Sequence, residues 1–484
     1  MNLNARTVAL AAAALLVSAA AAPAQVAAPA PAQAGAAAVQ TASTAERQLR
    51  AWLAAFNAGD RAAYGAFLRD YFPSRAPRLD GDIDFLQRTG GFDLRKVERA
   101  TPTSITCLLE ERAWGRIARA VAEVEGAAPH RLVRLDVNLA PRPAELAIRR
   151  LGAAELASAV RTKVDSQAVE GRFQGAALVA HRGTVIYRDA KGLADREAGT
   201  PNTLDTKFRM GSMNKMFTAT AVMQLVQAGR IRLDAPLGTY VKNYPNKDVA
   251  SKVTIHHLLT HTGGTGDIFG PEFEANRLAL KSLDDYVRLY GARGLEFEPG
   301  SRWEYSNYGF LLLGVIVERV SGQSYYDYVR DHVFKPAGMT GSGSDPEEVA
   351  VPGRAIGYMS RGASWVRNTG TLPYRGTSAG GGYTTVRDLL RFAAALTGHR
   401  LLDAAHTTLL TTGKVATPRG DKYAYGFIES VDGGMRSFGH GGGAPGMNGE
   451  LRIYPDAGYV LAALVNTGSG ASELVSWLGE RLPR

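Results

Sequence analysis

From Lys215 to Ala228 the chain carries a single charge, that of the lysine itself, inside the stretch FRMGSMNKMFTATAVMQLVQAG that runs from Phe208 to Gly229. The pattern predicts a helix over residues 213–228, apolar on nearly every side, with Gly229 just past its end; such a helix is enclosed, not laid on a surface. Enclosure needs layers around it. A chain of 484 residues, 45% hydrophobic and 21% charged, has the material for them in more than one domain. Lys215 is then the anomaly. A buried lysine is costly as a cation, so its pKa falls and the neutral amine becomes a competent proton acceptor. Ser212 stands on the neighbouring position of the same helical face. The residues TKFR before it read as a short extended lead-in, and Gly211 permits a tight turn. The hydroxyl is thus placed at a helix start, where backbone N–H groups and the positive end of the dipole favour developing negative charge. The competing reading is a lysine that snorkels from a helix end. On this segment alone the two readings stand level.

Upstream, Arg6, an apolar run from Val8 to Ala22 too short to span a bilayer, and Ala22-Pro23-Ala24 predict a signal peptide over residues 1–24, cleaved after Ala24, and a periplasmic or secreted protein. An uncleaved anchor is the alternative, and no later stretch reads as a transmembrane helix. Residues 25–42, mostly Ala, Pro, Gln and Gly, read as a linker. Ser43 and Glu46 then form a capping-box pattern ahead of Leu49, Trp52, Leu53 and Phe56, and Asp60 can cap a second helix carrying Tyr64, Phe67, Leu68 and Tyr71. The strand-like runs FDLRKVERA, SITCLLEER and HRLVRLDVNL follow. Two helices and a curved antiparallel sheet make a small α+β domain over residues 43–146. The FNAGD turn between its helices resembles the nuclear-transport-factor-like fold. This domain shows no catalytic cluster and is expected to be a binding or packing module. Cys107, the sole cysteine, excludes an intramolecular disulfide and reads as a small core residue. Pro141–Pro143 marks a boundary. Residues 147–484 open with a helix from about Ala153 and the strands GAALVAHRG and TVIYRDAKG, and a fragment starting near residue 147 is expected to keep the chemistry.

Two serines compete as nucleophile. Ser378, in GTSAG, matches the G-x-S-x-G elbow, but that elbow needs an apolar strand before it and a helix after it. Here RNTGTLPYR precedes and AGGG follows, so a glycine-rich turn is expected. Two further patterns favour Ser212. WEYSNYGF places Tyr305, Ser306 and Asn307 on a loop before an apolar helix; a tyrosine hydroxyl can shuttle a proton, and an asparagine amide can hold a carbonyl and orient a lysine. FGHGGGAPG, with His440 and Gly441, Gly442 and Gly443, lies between strand-like segments, where glycines let a substrate pair as an added strand.

Taken in order, Ser212-Met213-Asn214-Lys215, Tyr305-Ser306-Asn307 and His440-Gly441-Gly442 resemble the Ser-x-x-Lys, Tyr-x-Asn and Lys-Thr-Gly or His-x-Gly motifs of the serine β-lactamase and penicillin-binding-protein superfamily, in its class C, esterase and D-peptidase branch. HLLTHTGG, EPGSRWEYSN and SAGGGYTTVRDLLRF look like the same branch. The resemblance runs from about Phe173 to Asn466 and leaves residues 43–146 uncovered. It implies a β-lactamase/transpeptidase-like α+β fold whose first and last strands join in one antiparallel sheet, with helices on both faces and an inserted helical region. It also implies roles: Ser212 is acylated, Lys215 is its base, Tyr305 shuttles protons, Asn307 contacts the substrate amide, and the N–H groups of Ser212 and Gly443 form the oxyanion hole. One departure matters. His440 stands where most β-lactamases have a lysine that helps to hold a substrate carboxylate, and it can do so only when protonated, near pH 6.5 if its pKa is unperturbed.

The net charge of +10 comes from scattered arginines without a basic run, which argues against a nucleic-acid partner. His257 and His261, four apart in HHLLTH, lack the glutamate of a zinc motif, so packing is expected and no metal or cofactor is assigned. The substrate implied is a small ester or peptide, cell-wall peptides among the candidates. Three readings are carried forward: an exported serine hydrolase of the D-aminopeptidase, carboxypeptidase or esterase type, a β-lactamase, and a catalytically silent peptide-binding protein of the envelope.

Overall fold

The computed structural model describes residues 42–361, 364–432 and 434–483. The expected signal peptide, and the expected linker up to residue 41, lie outside the described residues. Ser43 caps the first helix, α1 (Thr44–Asn57), its hydroxyl accepting from Glu46 N, and Asp60 caps α2 (Arg61–Tyr71) through Ala62 N and Ala63 N. A third helix, α3 (Leu79–Thr89), which apolar periodicity did not announce, completes the layer. These helices cover a four-stranded antiparallel sheet of β1 (Phe92–Ala100), β2 (Ser104–Glu111), β3 (Ile117–Val124) and β4 (Leu132–Leu139), in that order. Leu49, Trp52, Phe56, Cys107 and Leu109 fill the space between.

The second sheet is antiparallel throughout. It runs β7 (Val415–Ala416), β8 (Lys422–Tyr423), β9 (Ile428–Asp432), β10 (Met435–Ala444), β11 (Met447–Tyr454), β12 (Tyr459–Val465), β5 (Gly175–His181), β6 (Thr184–Lys191). The first strand thus pairs with the last, from Gly175↔Val465 to His181↔Tyr459. The strand GAALVAH is apolar without alternation because both of its faces are covered. Ala176, Leu178 and Ala180 meet one core, and Ala177 and Val179 meet the other, as the twofold period of a strand requires. Helices α4 (Ala153–Val169) and α8 (Ala471–Gly479) back one face. On the other face lie α5 (Asn214–Gln227), α6 (Asn307–Ser321) and α7 (Val386–Thr397). No helix among the described residues is long and apolar enough to cross a membrane.

The two sheets belong to one compact unit from Ser43 onward. Trp114, in the turn between β2 and β3, is 1% exposed and sits in the core beneath the second sheet with Leu156, Phe173 and Trp477. Lys163 Nζ donates to Ala113 O at 2.8 Å, and Arg142 reaches Glu480 at 3.2 Å. A fragment cut near residue 147 would leave the Trp114 socket open to water.

Candidate active site

The residues TKFR form the expected lead-in, with Phe208–Arg209 paired to Tyr383–Thr384. Gly211 follows at φ +53°, in the left-handed region that favours glycine, and opens a 3-10 turn, Gly211–Met213, that runs into α5. Helix α5 is enclosed along its length, from Asn214 to Leu225, and Lys215 is wholly buried within it. The amine does not snorkel. It lies 2.8 Å from Asn307 Oδ1, 2.5 Å from Ala379 O and 3.3 Å from Ser212 Oγ. Burial lowers its pKa to about 7, against a smaller raising effect of the Asp267 carboxylate. A neutral amine has two N–H donors and one lone pair. With Asn307 and Ala379 taking the donors, the lone pair is left for the Ser212 hydroxyl.

Asn307 begins α6, behind the Ser306 cap. Its own amide is fixed by Asp267, whose Oδ2 accepts from Asn307 Nδ2 at 3.1 Å and whose Oδ1 accepts from the Asn307 backbone N at 3.0 Å. Asp267 was missed in the sequence. Tyr305 shares a hydrogen bond with Ser212, and burial pushes its phenol well above the usual range, so it stays a neutral proton donor. Lys215 Nζ lies 4.7 Å from the Tyr305 ring centroid.

Strand β10 carries the third motif. Its pairing with β9 ends at Ile428↔Gly439, while His440–Gly443 stay paired with Leu451–Asn448 of β11. One edge of this glycine run therefore faces a cleft of about 700 Å³ that Ser212, Tyr305, His440 and Gly443 line together. The run presses against the serine turn: a Cβ on Gly442 would stand 2.0 Å from Met210 O, and one on Gly211 would stand 3.0 Å from Gly443 N. His440 departs from expectation. Burial, then the neighbouring Lys215, lower its pKa to about 3, so the ring is neutral throughout the physiological range and supplies no cation for a carboxylate. Its Nδ1 lies 2.5 Å from Gly441 O and its Nε2 3.1 Å from the Tyr423 hydroxyl, which fits an Nδ1–H tautomer accepting from Tyr423.

Ser378 is fully buried, its hydroxyl without a partner. The surrounding GTSAG segment is a turn, and its backbone forms a cradle for α5. Thr377 O accepts from Asn214 Nδ2, Ser378 O from Thr218 Oγ1 and Ala379 O from Lys215 Nζ. His257 Nδ1 accepts from Thr254 N, and His261 Nδ1 from Ser306 N, with the His261 ring 4.3 Å from that of Tyr305. His257 thus caps the start of its own helix, and His261 packs beside the site.

A family described as Beta-lactamase matches residues 156–481, more than half of the chain. The chain belongs to the Beta-lactamase family. It is 34% identical over 327 residues to the esterase EstB of Burkholderia gladioli, a match covering 58% of this chain and 81% of that protein. Among solved structures, the penicillin binding protein of Bacillus halodurans matches with a TM-score of 0.61 and 33% identity over 65% of this chain and 97% of that one. The D-stereospecific amidohydrolase of a Streptomyces species matches with a TM-score of 0.55 and 27% identity, over 66% of this chain and 97% of that one. The family's β-lactamase/transpeptidase fold and its serine-hydrolase class are therefore those of this chain. The family match begins after the N-terminal module.

Proposed function

We propose that this protein is an exported serine hydrolase that forms an acyl-enzyme on Ser212 with neutral esters or amides, D-amino-acid peptides included. The observation that carries this reading is the surroundings of Lys215: a buried amine, its pKa near 7, with two acceptors on its N–H groups and a serine hydroxyl at 3.3 Å. In the first step Ser212 Oγ attacks the substrate carbonyl carbon, its proton passing to the Lys215 lone pair. The N–H groups of Ser212 and Gly443 hold the oxygen that gains the charge. Collapse breaks the bond to the leaving alcohol or amine, which takes its proton from Tyr305 and the Lys215 ammonium behind it. In the second step water attacks the acyl carbon and gives its proton back along the same route, freeing Ser212 and the acid.

The relatives' names, an esterase, a penicillin-binding protein and a D-stereospecific amidohydrolase, support acyl transfer from esters and amides. The neutral His440 weighs against substrates held by a carboxylate. β-Lactam hydrolysis is therefore the second reading, supported by the family itself. Arg6, the apolar run Val8–Ala22 and Ala22-Pro23-Ala24 support export. The test is kcat/KM between pH 5 and 9 for an activated neutral ester, a D-amino-acid amide and a penicillin. The ester or the amide is expected to outpace the penicillin. The rate should rise with pH through about 7, where Lys215 loses its proton, with no separate limb from His440. A penicillin turned over faster than both would move the assignment to a β-lactamase.

A further inference from the structure

Two residues of the N-terminal module, Arg116 and Leu139, line the same cleft as Ser212. They also line a smaller cavity of about 250 Å³ between the module and the catalytic part, together with Phe85, Phe92, Ala118 and Val137 on one side and Gly468, Ser469 and Glu473 on the other. The two spaces therefore share a wall at Arg116 and Leu139. Strand geometry explains the arrangement. Ala118 pairs with Leu139 and Ala120 with Val137, so these side chains share one face of the curved sheet, the face that the helices cover. Leu139 lies at the open end of that face and is 67% exposed, an apolar side chain bare at the rim of a catalytic cleft.

The charge at the junction is balanced. Arg116 Nε pairs with Glu111 at 2.7 Å, and its Nη1 faces Glu473 at 3.6 Å. Glu473 belongs to α8 and caps it at Gly470 N, so the rim is fixed from both sides of the molecule. The small cavity's charged lining, Arg88 and Arg116 against Glu111 and Glu473, sums to zero. Such a rim is not a receptor for an anion. It offers apolar surface to a neutral group.

We propose that the N-terminal module is the far wall of the substrate cleft and receives the apolar end of an ester or amide whose carbonyl sits at Ser212, a proposal that rests on the reading of Ser212 given above. The module selects substrate by length and apolarity, and contributes nothing to the bond-breaking steps.

The test measures kcat/KM for p-nitrophenyl acetate, butyrate, hexanoate and octanoate with the full chain and with Leu139→Asp and Leu139→Trp, both changes being at an exposed position that carries no fold. Labelling of Ser212 by a fluorophosphonate is followed in parallel. In Leu139→Asp the octanoate-to-acetate ratio is expected to fall by about tenfold, the equivalent of roughly two buried methylene groups. In Leu139→Trp, which narrows the junction, the preferred chain is expected to shorten. An unchanged chain-length profile in both variants, with Ser212 still labelled, would overturn the proposal. Absence of labelling at Ser212 in the unmodified protein would overturn the reading beneath it, and the proposal with it.

Discussion

Asp267 touches neither Ser212 nor the substrate space, yet it sets two properties of the pair. It clamps Asn307 by two hydrogen bonds, and Asn307 in turn holds Lys215; its charge also raises the Lys215 pKa against the larger effect of burial. Asp267→Asn keeps the shape and removes the charge. The acid limb of the pH–rate profile should then move below about 7, because the ammonium form loses the raising influence of that charge, and the plateau should fall by roughly tenfold as Asn307 loosens. A limb that stays in place or moves up would show that the carboxylate does not act on Lys215. Nothing in HTGGTGDIFG announces this residue. It lies in a glycine-rich loop without a helical or strand period, and its partner is 40 positions away. Ser212, Lys215, Tyr305 and Asn307 were legible because each stands at the start of, or within, a strongly apolar helix where a polar side chain needs a reason.

Strand β10 and the serine turn work as a pair of elements. Their backbones approach so closely that Gly442 has no room for a side chain, since a Cβ there would overlap Met210 O and stand 2.9 Å from Ser212 N. Gly443, one residue on, would make only ordinary contacts, at 3.7 Å to Asn448 Nδ2 and 3.8 Å to Met447 O. Gly442→Ala should push the strand off the turn, with a fall in kcat/KM of about 100-fold, the scale of a lost oxyanion donor, and a lower melting temperature. Gly443→Ala should melt close to the unmodified protein. Equal melting of the two variants would mean that the strand can shift without strain. The glycine run was legible as a strand edge, but the cradle that Thr377, Ser378 and Ala379 give to α5 was not, because it is made of carbonyl groups that any sequence carries.

At the scale of the whole molecule, the chain order of modules was readable and their union was not. Capping residues, apolar periods and the Pro141–Pro143 boundary all follow from local sequence. Trp114 lies in the turn RAWGR between β2 and β3. Only the packed fold shows that it fills a core built from residues more than forty positions later. The same union brings Arg116 and Leu139 to the cleft that Ser212 lines. Every functional statement about that cleft depends on which serine is acylated. The most direct measurement is intact-mass and peptide mass spectrometry after exposure to a fluorophosphonate, with the unmodified chain, Ser212→Ala and Ser378→Ala. One adduct is expected on the peptide containing Ser212, with its loss in Ser212→Ala and its retention in Ser378→Ala. An adduct that survives Ser212→Ala would contradict the acylation of Ser212.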